Sequence, residues 1–181
     1  MDKHFYKVLL EPTSWLDNNH LDKILYFYRK MTCENVRVVV LDTYWARHLV
    51  SQVNLGDVGF TEEGEETLRN YMKGILPAEF PKKWNDAKKI YTPFHLAGIE
   101  KEHWIALEID LSEWSINVYD CNKKLYSDKE ILDALDPIRQ GVPRLLTNYK
   151  PLATNLPGVW RHFKGKPLDI CQMDKLKVLC C

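Results

Sequence analysis

The chain has 181 residues, 45% hydrophobic and 28% charged, with 25 basic and 25 acidic side chains and a formal net charge of zero. That length suits one domain with a real core, and the even charge argues against a protein that coats nucleic acid or an anionic membrane. No apolar run approaches the roughly 20 residues needed to span a bilayer, and the opening MDKHFYKVLLEPTSW makes a poor secretory signal. The five cysteines, Cys33, Cys121, Cys171, Cys180 and Cys181, are odd in number and scattered. They fit free thiols in the cytoplasm or nucleus better than a disulfide framework.

The first strong element is a predicted amphipathic helix over 17–31. Asp17 or Ser14 can cap it, and Leu21, Ile24, Leu25 and Tyr28 share one face. VRVVVL (36–41) reads as a buried strand, and TYWARHLVSQ (43–52) as a helix starting at Thr43. The stretch 54–66, with its glycines and glutamates, reads as an exposed loop. Its acidic run, Glu62, Glu63, Glu65 and Glu66, is a solvated helix start favourable to the dipole. Helical spacing resumes over 65–75, where Leu68, Tyr71, Met72 and Ile75 recur on one face. Residues 77–89 read as a linker within the domain. IYTPFHLA (90–97) reads as an edge strand, because Pro93 has no N–H to give a central ladder.

HWIALEIDLSEWSINVYD (103–120) is the most informative stretch. His103, Ile105, Leu107 and Ile109 alternate onto one face, as do Trp114, Ile116, Val118 and Asp120, which predicts a β-hairpin. A two-residue turn at 111–112, or a loop over 110–113, sets His103 directly opposite Asp120. An Asp so placed can fix the tautomer of the imidazole and leave its other nitrogen as a base. A surface His–Asp pair at an open hairpin end fits the spacing equally well. Beyond the hairpin, 125–149 reads as helix in two pieces, with Asp128 a candidate cap and Pro137 and Pro143 as interruptions. The tail from Lys150 is broken by Pro151, Pro157, Gly158 and Pro167 before the apolar LDIC. The order of elements predicts an α+β fold around a central sheet.

Other chemistries find little support. Cys171, Cys180, Cys181 and His162 lack metal-ligand spacing, so no metal site is expected. There is no phosphate loop, no Gly-x-Ser-x-Gly elbow and no His-Glu-x-x-His. His20, His48 and His95 read as structural.

SWLDNNHLDKILYFY, HWIALEIDLSEWSINVYDC and the stretch from VPRLL to PLDICQ together resemble the ubiquitin-like-protein-specific (SUMO) proteases, in a form closest to divergent plant and transposon-associated members. The resemblance runs from about Trp15 to Gln172. It implies a papain-like α+β fold with a mostly antiparallel central sheet flanked by helices, and a single catalytic domain over 1–181. It also implies a Cys-His-Asp triad: His103 as general base, Asp120 as its orienter and Gln172 in the oxyanion hole. Trp15 and Trp104 would line a narrow channel for the Gly-Gly tail of SUMO or another ubiquitin-like protein, in precursors or isopeptide conjugates. Flat aromatic walls select glycine by its missing Cβ. No cofactor, nucleic acid or membrane partner is implied, and a monomer is expected.

The family follows Pro-Gln-Gln with Asp-Cys-Gly and a helix. Here the sequence is DICQMDKLKVLCC, with Cys171 for the Pro, Met173 for the second Gln, and Cys180 eight residues after Gln172 as the nucleophile candidate. The chain is therefore expected to be a truncated or alternatively spliced product of marginal stability. Two readings stay open: a cysteine peptidase, and a domain that only binds a ubiquitin-like partner.

Overall fold

A computed structural model of the chain describes residues 7–8, 10–11, 15–35, 37–55, 60–79, 82–98, 101–148 and 167–172. Helix α1 (Asn18–Met31) is followed by β1 (Val38–Val40), α2 (Thr43–Val53) and α3 (Glu62–Met72). Then come β2 (Lys89–Ala97), β3 (Glu102–Asp110), β4 (Ser115–Tyr119), α4 (Asp128–Asn148) and β5 (Asp169–Gln172). The five strands form one sheet in the order β1-β2-β3-β4-β5. Its inner pairings, β2 with β3 and β3 with β4, are antiparallel, and its outer pairings are parallel. The fold is α+β, as the resemblance implied, with a more mixed sheet.

Each helix start has a local cause. Asp17 caps α1, accepting the His20 N–H at 3.0 Å, while the His20 ring returns to the Asp17 N–H. His20 thus has a structural role, with an acidic partner three residues away. Asp42 caps α2 through the N–H groups of Tyr44 and Trp45. Burial pushes the Asp42 carboxyl above its ordinary range, and the donors around it, Tyr71 Oη among them, offset this only in part. Thr61 caps α3, so that helix begins at Glu62, inside the stretch read as a loop. It ends at a left-handed Gly74 (φ 71°), which turns Ile75 outward to 56% exposure and away from the face of Leu68, Tyr71 and Met72.

One face of the sheet is dry. Ile105, Leu107 and Ile109 of β3 and Ile116 and Val118 of β4 are buried in a single core with residues of α2, α3 and α4. Helix α4 is continuous for 21 residues across Pro137 and Pro143. Ile131, Leu135, Ile138, Val142 and Leu145 keep one unbroken buried face across both prolines, and that packing outweighs the ladder bonds they remove. Its cap is Ser127, whose hydroxyl accepts the Glu130 N–H while the Glu130 carboxylate accepts the Ser127 N–H, a capping box one residue before the expected Asp128.

Three further expectations are corrected. The presumed linker 77–89 carries Trp84, fully buried and 5.8 Å, centroid to centroid, from Trp45. Strand β2 lies inside the sheet; β1 pairs only with Lys89–Tyr91, so Pro93 falls where that side of β2 is open. Helix α1 exists, but Ile24 and Tyr28 are exposed, and its buried residues are His20 and Arg29. It lies beside the short edge strand β1, outside the main core, so its apolar stripe has little to cover it. No helix among the described residues is long and apolar enough to cross a membrane.

Candidate active site

The hairpin turns at Leu111–Trp114. Asp110 Oδ1 accepts the N–H groups of Ser112 and Glu113, and Trp114 takes φ 56°, which closes a loop of four residues. The resulting register pairs Ala106 with Tyr119 and Asp110 with Ser115. It is two residues away from the one expected. An even shift keeps every side chain on its face, so His103 and Asp120 still share one, as diagonal neighbours rather than direct opposites. Their side chains meet, with Nε2 of His103 2.7 Å from Oδ1 of Asp120.

This contact is buried: 7% of the His103 side chain and 1% of the Asp120 side chain are exposed. The Asn122 N–H donates to the same Asp120 Oδ1 at 2.7 Å, fixing the carboxylate's rotation. Behind the imidazole lies Tyr126, its ring nearly parallel at 6.4 Å. Tyr126 Oη lies 2.7 Å from the Lys101 carbonyl, just before β3, and 3.1 Å from that of Leu96 in β2, so the ring is held at two points. With Nε2 committed to Asp120, Nδ1 is the ring nitrogen left to take a proton. Tyr126 and the Asn122 N–H had no signature in the sequence, since both depend on how the chain turns after β4.

Trp104, next to His103, donates its Nε1–H to the Leu16 carbonyl at 3.1 Å and packs on His95 at 4.6 Å. That bond brings the segment before α1, with the 66%-exposed Trp15, against the start of β3. The two tryptophans predicted to work together therefore belong to touching segments. A cleft of about 220 Å³ adjoins Trp104, lined also by His95, Phe94, Arg47, Thr43 and Asn18. A wider groove of about 1120 Å³ lies beside Leu96, Gly98, Tyr126 and Pro137.

Strand β5 runs parallel to β4 and pairs Gln172 with Val118, two residues before Asp120. Strand β5 thus ends at the end of the sheet that carries Asp120. The strand is anchored upstream: the Leu168 N–H donates to the Arg139 carbonyl, the Arg139 side-chain Nε–H donates to the Leu168 carbonyl, and the Asp169 N–H donates to the Trp114 carbonyl. The candidate nucleophile Cys180 lies outside the described residues, as do Ser14, Pro151, Pro157, Gly158, His162, Met173 and Cys181. Among the described residues, His103, Asp120 and Cys121 form one group with metal-ligand chemistry.

The C-terminal catalytic domain of the Ulp1 protease family matches residues 14–167, and the chain belongs to that family. The match stops before β5, so Gln172 and Cys180 fall beyond it. No curated protein matches the sequence. Among solved structures, the chain is similar to the C-terminal Ulp1 protease domain in complex with Smt3, the yeast orthologue of SUMO, with 18% identity and a TM-score of 0.56 over 94% of this chain and 60% of that one. It is likewise similar to the SUMO protease Ulp1 with its catalytic cysteine oxidised to a sulfonic acid, with 16% identity and a TM-score of 0.56 over 94% and 61%. The chain thus spans about three fifths of the length of these structures.

Proposed function

We propose that the chain carries the base, the orienter and the substrate channel of a cysteine peptidase that cleaves after the Gly-Gly of a SUMO-like protein, in precursors or isopeptide conjugates. The observation that carries this reading is the buried 2.7 Å contact between His103 Nε2 and Asp120 Oδ1, in a chain of the Ulp1 family. His103 takes the thiol proton at Nδ1, and the thiolate attacks the carbonyl carbon of the terminal glycine. Asp120 stabilises the imidazolium so formed. Gln172 donates to the oxyanion, and His103 returns the proton to the leaving amine. Water then cleaves the thioester by the same base. The thiol comes from the segment after β5, where Cys180 is the candidate. Trp15 and Trp104 admit glycine and reject residues with a Cβ. The protein acts as a monomer in the nucleus or cytoplasm.

Hydrolysis of a SUMO C-terminal fluorogenic amide tests this. The expected result is turnover that His103→Ala abolishes and that ubiquitin's equivalent substrate does not support. A folded chain without turnover that still binds SUMO would replace the peptidase with the binding-only reading.

A further inference from the structure

Three side chains with ligand chemistry converge where β4 ends. Asp120 and Cys121 are consecutive, and His103 reaches them from β3. One donor atom from each lies within 4.8 Å of the other two. His103 and Asp120 are buried and Cys121 is exposed, so the group is dry on one side and open to solvent on the other. One nitrogen, one oxygen and one sulfur make a set that zinc-class divalent ions accept, with a fourth position left to water.

A second observation points the same way. Among the described residues, Asp120 accepts hydrogen bonds from Asn122 and His103, and both fall on Oδ1. Oδ2 is buried and meets no donor among the described residues. A buried carboxylate oxygen without a donor is unfavourable and demands an explanation. The peptidase chemistry uses Oδ1 alone and has no role for Oδ2 or for Cys121.

We infer that His103, Asp120 and Cys121 form a binding site for a zinc-class divalent cation. Binding needs the Cys121 thiolate, whose proton leaves to solvent. Ligation through the ring nitrogen that faces Asp120 moves the ring proton from Nε2 to Nδ1, where it blocks the nitrogen the peptidase uses as base. Metal binding and general-base catalysis are thus exclusive uses of His103, and the ion switches the site off. The switching consequence rests on the peptidase reading; the binding does not.

Cobalt(II) is the probe, because thiolate-to-cobalt charge transfer and visible d–d absorption report the ligands without any need for activity. The reduced, metal-free full chain is expected to take up one equivalent, with a thiolate charge-transfer band and the strong visible bands of four-coordination, and zinc should displace it. Cys121→Ser, a near-isosteric change at an exposed position, should lose the band and weaken binding about tenfold or more, with an unchanged circular dichroism spectrum. Cys33→Ser should leave the band intact. A band that survives Cys121→Ser, or no thiolate band in the folded chain, overturns the site. A band lost in Cys121→Ser from a chain that hydrolyses no SUMO substrate supports the site and counts against the peptidase reading, so the two failures are distinguishable.

Discussion

His103 and Asp120 sit two residues out of direct cross-strand register, yet their side chains meet at 2.7 Å. Continued past Tyr119, the register puts Ile105 beside Asp120 and Asn122 beside His103. The imidazole spans the diagonal, and the Asn122 N–H holds the carboxylate to meet it. Asp120→Asn keeps the shape but removes the negative charge that stabilises the imidazolium formed in the reaction. We expect kcat/KM on a SUMO C-terminal amide to fall by about a thousand- to ten-thousandfold, with the melting temperature changed little. Steady-state kinetics beside a thermal melt check this, and unchanged kcat/KM would remove Asp120 from the chemistry.

Trp104 joins the segment before α1 to β3 through its bond to the Leu16 carbonyl. Trp104→Phe keeps a flat ring and deletes that bond, at a cost of about 1 kcal/mol. Trp104→Ala also removes a wall of the proposed channel. The Phe variant should show a modest melting shift with near-normal KM, and the Ala variant a raised KM for SUMO substrates. Equal KM values in both would mean that the ring serves packing alone.

Glu108 lies on the opposite sheet face, accepting Lys89 Nζ at 2.8 Å, Tyr91 Oη at 2.6 Å and Asn117 Nδ2 at 3.0 Å. Burial alone would raise its pKa, but these donors together hold it below the ordinary 4.5. Burial, together with the same contact, lifts Tyr91 to about 12. Because the folded pKa of Glu108 is the lower one, the unfolded chain binds more protons in the acid range. The contribution to stability is complete above 4.5 and is lost as pH falls through the depressed folded value. Glu108→Gln should cost about 1–3 kcal/mol at neutral pH and flatten the acid limb of the stability curve. Urea melts between pH 3 and 7 measure it; parallel wild-type and variant curves would contradict it.

Trp84 tests whether 77–89 is core or linker. It is fully buried against Trp45, so Trp84→Ala should cost about 3–5 kcal/mol in denaturant unfolding. A linker residue would cost less than about 0.5 kcal/mol.

The strand alternation around His103 and Asp120 was legible because it survives any even change of register. The loop length that sets the register was not, since it depends on the left-handed Trp114 and the Asp110 cap. Helix starts at 17–18 and 43 were legible from the apolar period and its caps. The start of α3 was hidden by glycines and glutamates that read as loop, and the continuity of α4 by two prolines whose effect only its packing overrides. Trp84 was missed because Pro, Lys and Asn around it mask a single buried side chain. The outward stripe of α1 shows that period marks amphipathicity and leaves its direction open. Cys121 read as one scattered thiol, although its place after Asp120 was the signal that it lies beside the His103–Asp120 pair.

The most direct test of the account is the intact mass of the purified full chain after incubation with SUMO bearing a C-terminal electrophile, followed by mapping of the modified cysteine. The account predicts a one-to-one adduct on a cysteine C-terminal to β5, lost in His103→Ala and in Cys180→Ala. No adduct from a folded chain, or an adduct on Cys33 or Cys121 that persists in His103→Ala, would contradict it.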